Sequence, residues 1–209
     1  MIVYLVRHGQ VDRHTGSPDP PLSDQGRREA EQVAAYLRVR PITRVYSSPL
    51  RRAQETAAPV AAALGLPLIV EPRLRERSNF GDLPGQTFGE FVALWERCSQ
   101  ERDYVPPVGD SSLRAGQRVE EFIAETYANL PDGGVVAVGH GGLIADFLLN
   151  ICTLDKLAQT HPGFAAQPYS AEIMRNGAIT VVETTGKCSD NYGYSNSIRT
   201  IALTHHLSR

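Results

Sequence analysis

The chain has 209 residues, 42% hydrophobic and 21% charged, with a net charge of −2. This is the balance of one globular domain with a core of its own, and it excludes a nucleic-acid or membrane-surface role driven by bulk charge. The three cysteines, Cys98, Cys152 and Cys188, lack CxxC spacing; with no leader pattern and no bilayer-length apolar run, this reads as a cytoplasmic protein with reduced thiols.

Ile2 to Val6 is a continuous, β-branched apolar run and predicts a buried strand. It delivers Arg7, His8 and Gly9 to the carboxyl end of the sheet, where open α/β folds bind ligands. A turn-rich loop from Val11 to Leu22 follows, then a helix capped by Ser23 with Ala30, Val33, Ala34 and Leu37 on one face. Pro41 ends it. Arg44–Ser47 predicts a second strand, and Ser48-Pro49 the first turn of a helix with Ala53, Ala57, Val60, Ala61 and Leu64 as its stripe and Gly65 as its C-cap. Pro67–Val70 predicts a third strand. The order β, α, β, α, β is that of a parallel sheet covered by helices.

The middle of the chain is a loop from Leu74 to Gly85, a helix from Thr87 to about Arg102, and a break at Tyr104–Asp110. A long helix capped by Ser111 or Ser112 carries Val119, Phe122, Ile123, Thr126, Tyr127 and Leu130 at helical spacing. Val135–Val138 predicts another buried strand, ending in Gly139-His140-Gly141-Gly142, with a helix from Leu143 to about Asn150. Ala171–Met174, Ala178–Thr184 and Ile198–Thr204 predict short closing strands, with Asn191–Asn196 as a polar loop.

Two buried strands thus each deliver a glycine-flanked histidine to one sheet edge. Histidine can act as nucleophile, base or metal ligand. No HExxH, CxxC or HxH motif accompanies the pair, and Arg7 beside His8 suits an anion rather than a cation, because guanidinium offers phosphate or carboxylate a bidentate fork. Walker, GxGxxG and GxSxG motifs are absent, which removes support for glycine-cradled nucleotides and for a serine hydrolase.

Leu5-Val6-Arg7-His8-Gly9 resembles the signature of the histidine phosphatase superfamily, in its phosphoglycerate mutase-like branch. Pro21–Gly26, Tyr46–Ala57, Leu74–Arg77 with Phe80-Gly81, Val138–Gly142, Asn176–Glu183 and Ala202–Leu207 resemble further stretches of that branch in order. The resemblance implies a three-layer α/β sandwich with a mostly parallel central sheet flanked by helices. It further implies one domain over 1–209, with a helical insertion at about 83–112. In it His8 becomes a phosphohistidine, Arg7, Arg52 and His140 surround the phosphoryl oxygens, and Glu76 is general acid and then base. Glu71, Asp82 and Glu90 are the neighbouring alternatives to Glu76, and Arg51 is a solvated or ion-paired neighbour of Arg52. Gln10 and the Gly141 amide are further candidate substrate-binding groups; Gln10 stands where relatives often have glutamate, and the Glu76 loop is a residue longer than in many of them. No metal or other cofactor is implied.

The function expected is a metal-independent phosphomonoester hydrolase acting on a small phosphorylated substrate, with neither nucleic acid nor membrane as partner. A homodimer is compatible with the sequence. The alternatives are a cofactor-dependent phosphoglycerate mutase-type phosphotransferase, which usually has a longer loop after the first motif, and a non-catalytic phospho-ligand-binding protein, which has no need of Glu76.

Overall fold

The computed structural model describes residues 1–185 and 195–207. In chain order the elements are β1 (Ile2–Arg7), α1 (Asp24–Leu37), β2 (Ile42–Ser47), α2 (Arg51–Leu64), β3 (Leu68–Val70), α3 (Phe88–Gln100), α4 (Ser112–Asn129), β4 (Gly134–Gly139), α5 (Gly141–Ile151), α6 (Leu154–Thr160), α7 (Pro162–Ala166), β5 (Ile179–Thr185) and β6 (Ser195–Leu203). The strands form one sheet in the order β3-β2-β4-β1-β5-β6. Its β1/β4, β2/β4 and β2/β3 pairs are parallel, and β5 and β6 extend it antiparallel.

Side chains alternate across the sheet and fill two cores. Val3 and Leu5 of β1 join Val135 and Ala137 of β4 beneath α4 and α5. Val6, Val136 and Val138 point the other way, onto the α1 and α2 stripe of Val33, Leu37, Ala53, Ala57 and Val60. All six residues of β4 are buried, as expected for a central parallel strand covered on both faces. The result is the three-layer, mostly parallel α/β sandwich.

The caps agree with the sequence: the Ser23 side chain accepts from the Gly26 amide, Ser111 from the Arg114 amide, and Gly65 takes φ 65°. Three expectations need correction. Helix α2 starts at Arg51 with Leu50 as N-cap, so Ser48 and Pro49 precede it; the Asp19 carboxylate supplies the missing cap by accepting from the Arg51 amide at 2.8 Å. Ala171–Met174 forms turns and not a strand, with the Met174 amide bonded to Ser170 O and the Met174 carbonyl taken by Arg7. The short helices α6 and α7 were not anticipated. The loop expected at Asn191–Asn196 lies outside the described residues up to 194, and its last two residues begin β6.

Candidate active site

Strands β1 and β4 are parallel neighbours with Arg7 paired to Gly139, so the next residues, His8 and His140, emerge side by side. The His8 amide bonds Gly139 O at 3.0 Å, and the two imidazole centroids are 5.2 Å apart. His8 Nδ1 lies 2.7 Å from Gly9 O. A carbonyl only accepts, so Nδ1 carries the proton and the Nε2 lone pair is left for a reacting group. The backbone around it is pinned from two sides. Thr56 Oγ1 accepts from the Gly9 amide at 2.9 Å, and the Asn176 side-chain amide donates to His8 O at 2.9 Å.

His140 is the N-cap of α5 and is 1% exposed. Its Nε2 is 2.8 Å from Ser48 Oγ, and its Nδ1 is buried without a hydrogen-bond partner. Burial, with Arg52 and Arg7 close by, holds both histidines well below the usual imidazole range, so both are neutral at pH 7. Of the cations, Arg52 is buried and Arg7 half-buried. Arg7 donates to Met174 O and leaves Nε buried without a partner. Arg52, in the first turn of α2, is 8% exposed and donates to Asn79 Oδ1 at 3.0 Å and Asp19 Oδ1 at 3.4 Å. Burial pushes both guanidinium groups down from their ordinary value.

Glu76 is 9% exposed. Its Oε2 accepts from the Gly142 amide at 3.1 Å and its Oε1 from the Arg77 amide at 3.0 Å. With Arg7, His8, Trp95, Gly141, Gly142 and Tyr169 it lines a cavity of about 140 Å³. Two glycines make this approach feasible: a Cβ at Gly141 would come within 3.2 Å of the Arg7 side chain, and one at Gly142 within 2.5 Å of the Trp95 ring and 2.9 Å of Glu76 Oε1.

The other carboxylates near Glu76 are engaged elsewhere. Glu71 accepts from the Arg73 amide and guanidinium, which holds its carboxyl down, on the far side of the loop. Glu90 closes a capping box with Thr87, and Asp82 pairs with Arg75 at 2.6 Å. Arg51 is exposed and paired with Glu55. Gln10 is exposed; its side-chain carbonyl accepts from Ser23 Oγ at 2.8 Å, and it is not in the cavity wall. Gly141 is in that wall, while the α5 amide bonded to Glu76 is that of Gly142.

Beneath Glu76 lies a group of residues the sequence reading passed over. Arg77, 1% exposed, donates to Asp146 Oδ1 at 3.1 Å, to Ser112 Oγ at 2.5 Å, to Trp95 O at 3.0 Å and to Ser99 Oγ. Its guanidinium stacks 3.8 Å over the Trp95 ring, and Tyr169 donates to Asp146 Oδ1 at 2.7 Å. Burial pushes the Asp146 carboxyl up to about 7, against the opposing pull of Arg77. Asp19, Ser48, Thr56, Asn79 and Asn176 were likewise missed; Asp19 and Asn79 stand in polar loops where only the fold reveals that they meet Arg52.

The model of the histidine phosphatase superfamily (branch 1) matches residues 3–188. Glucosyl-3-phosphoglycerate phosphatase of Mycobacterium tuberculosis is 34% identical over 161 residues, 68% of this chain and 70% of that protein. Probable phosphoglycerate mutase GpmB of Yersinia pestis is 32% identical over 168 residues, 75% and 77% of the two chains. Among solved structures, the mycobacterial glucosyl-3-phosphoglycerate phosphatase complexed with VO3 superposes with a TM-score of 0.73 at 28% identity, over 95% of this chain and 97% of that one. The Entamoeba histolytica phosphoserine phosphatase, at 20% identity and TM-score 0.72 over 99% and 98%, is alike in fold. This chain belongs to the histidine phosphatase superfamily, branch 1.

Proposed function

We propose that the protein is a metal-independent phosphomonoester hydrolase working through a phosphohistidine on His8. The observation that carries the reading is the meeting, in one cavity, of the His8 ring with a free Nε2 lone pair and the Glu76 carboxylate, flanked by half-buried Arg7 and buried Arg52. In the first half-reaction His8 Nε2 attacks phosphorus, the P–O bond to the alcohol breaks, and protonated Glu76 gives its proton to the departing oxygen. In the second, Glu76 takes a proton from water, the hydroxide oxygen bonds phosphorus, and the N–P bond breaks to release inorganic phosphate. Charge on the transferring oxygens is met by Arg7 and Arg52, with the unpartnered Arg7 Nε and His140 Nδ1 as further contacts. Preorganised charge of this kind is the main aid to phosphoryl transfer.

The same reading takes 1–209 as one catalytic domain with about 83–112 inserted, acting in the cytoplasm on a small phosphorylated substrate. A relative named for glucosyl-3-phosphoglycerate supports that substrate class. No helix among the described residues is long and apolar enough to cross a membrane. The likeness to a probable phosphoglycerate mutase favours a second reading, in which the same phosphohistidine passes its phosphoryl group to another hydroxyl instead of to water.

The test is hydrolysis of p-nitrophenyl phosphate in chelator by the parent and by His8→Ala, beside 3-phosphoglycerate with its bisphosphate cofactor. Hydrolysis lost in His8→Ala and little isomerisation are expected. Activity surviving that substitution would overturn the nucleophile, and efficient isomerisation would favour the mutase.

A further inference from the structure

A row of aromatic rings leads out of the cavity to the surface. Phe88, Phe91 and Trp95 share one face of α3, being three and four residues apart, and Phe80 of the Glu76 loop packs on the first two. Ring centroids are 5.5 Å apart for Phe80/Phe88, 5.8 Å for Phe80/Phe91, 6.3 Å for Phe88/Phe91 and 6.0 Å for Phe91/Trp95. Half of the six phenylalanines and the single tryptophan of the chain are spent here. At the outer end Phe88 is 61% and Phe80 40% exposed. A lone exposed phenylalanine is ordinary; a contiguous apolar row ending in a reactive cavity is not.

The direction of the leaving group follows from the chemistry. The oxygen that Glu76 protonates lies at its carboxylate, and the Trp95 ring lies beside that carboxylate, both crowding the same face of Gly142. The carbon skeleton behind that oxygen therefore emerges along Trp95. Among the described residues the cavity wall offers it no cation besides Arg7, which is engaged with the phosphoryl group on this reading, and so nothing there to bind a carboxylate. From Trp95 to Phe88 the helix rises about 10 Å.

We propose that the Trp95–Phe91–Phe88 row with Phe80 is the leaving-group subsite, and that the substrates are phosphomonoesters of alcohols with an extended apolar body. This rests on the phosphatase reading for the position of the phosphoryl group and adds the identity of the alcohol. Apolar area removed from water by the body is the source of the selectivity.

Ethyl, 2-phenylethyl and octyl phosphates test it, because their alcohols are of similar basicity and the chemical step is matched. With octyl phosphate below its micelle concentration, kcat/KM is expected to exceed that for ethyl phosphate by about tenfold or more, and Phe88→Ser with Phe91→Ser to shrink that ratio to within about threefold of unity. In His8→Ala, Trp95 emission is expected to shift on titration with octyl phosphate and not with ethyl phosphate. A flat ratio in the parent, a ratio that survives both serine substitutions, or faster turnover of phosphorylated carboxylic acids would overturn the proposal. So would a stable dimer in sedimentation that shields Trp95 from octyl phosphate. If no ester is hydrolysed, p-nitrophenyl phosphate included, the phosphatase reading fails, and Trp95 emission decides the subsite alone: a shift upholds it and silence removes it.

Discussion

On the proposed mechanism His8 and Glu76 divide the chemistry, and each is distinguished from its neighbours by what it bonds. His8 has one ring nitrogen fixed by Gly9 O and the other left with its lone pair; Glu76 alone of the carboxylates considered lines the cavity with it. Glu76→Gln is expected to slow turnover by roughly 10²–10⁴-fold, the usual worth of a general acid. Glu71→Gln, which loosens a turn and an Arg73 pair, is expected to change kcat by less than about threefold while costing about 1 kcal/mol of stability. Equal losses in kcat would move the acid away from Glu76. The placement of His8 and His140 was legible because a strand end is a local event: an apolar run stops and a polar side chain follows. Periodicity treats Glu71, Glu76, Asp82 and Glu90 alike; in the sequence only the resemblance of Leu74–Arg77 favoured Glu76, and in the structure their partners separate them.

The Glu76 loop is tied to three helices by the next residue. Arg77 reaches Trp95 and Ser99 on α3, Ser112 on α4 and Asp146 on α5. Arg77→Met is expected to destabilise the protein by about 1–3 kcal/mol, because Trp95 O, Ser99 and Ser112 lose a buried donor and Asp146 loses its cation and takes up a proton. Arg77→Met with Asp146→Leu is expected to recover most of that loss, and urea unfolding of the parent, both single variants and the double variant measures the coupling. Additive losses would mean that the pair does not act as a unit. Helices α1, α2 and α4 were legible because each repeats an apolar stripe over several turns. Helices α6 and α7 have seven and five residues, too few to show a period, and the start of α2 was misread because its cap comes from Asp19 in a distant loop. Of Ala171–Met174 only Ile173 favours a strand, and the last carbonyl of the stretch goes to Arg7.

One sheet with a core on each face carries all of this, and its layering followed from the βαβ order of the sequence. The strand order did not: Ile2 pairs with Gly134 and Glu183, and nothing local encodes a contact over such distances. Building the site into the sheet edge has a consequence for stability. His8 and His140 are held well below 6.5 in the folded protein and return to the ordinary value on unfolding. Their stability is therefore fully present above about pH 6.5 and is lost as pH falls below it, since only the unfolded chain then takes up the two protons. The two histidines give a slope of at most about 2.7 kcal/mol per pH unit, from about 1.36 for each, and Asp146, whose folded carboxyl lies at about 7, takes up a proton in the same window and offsets up to about 1.36 of it. Urea unfolding at about pH 7 and about pH 5.5 is expected to show a clear fall, shallower in His8→Gln; a level profile would contradict neutral, buried histidines.

The central claim is a covalent bond between phosphorus and His8. Rapid mixing with p-nitrophenyl phosphate, quenching in alkali and peptide mass spectrometry reads it directly, because a phosphohistidine survives alkali. The expected result is a phosphoryl adduct on the peptide containing His8, localised to that side chain and absent from His8→Ala. An adduct on another residue, or full turnover by His8→Ala, would contradict it.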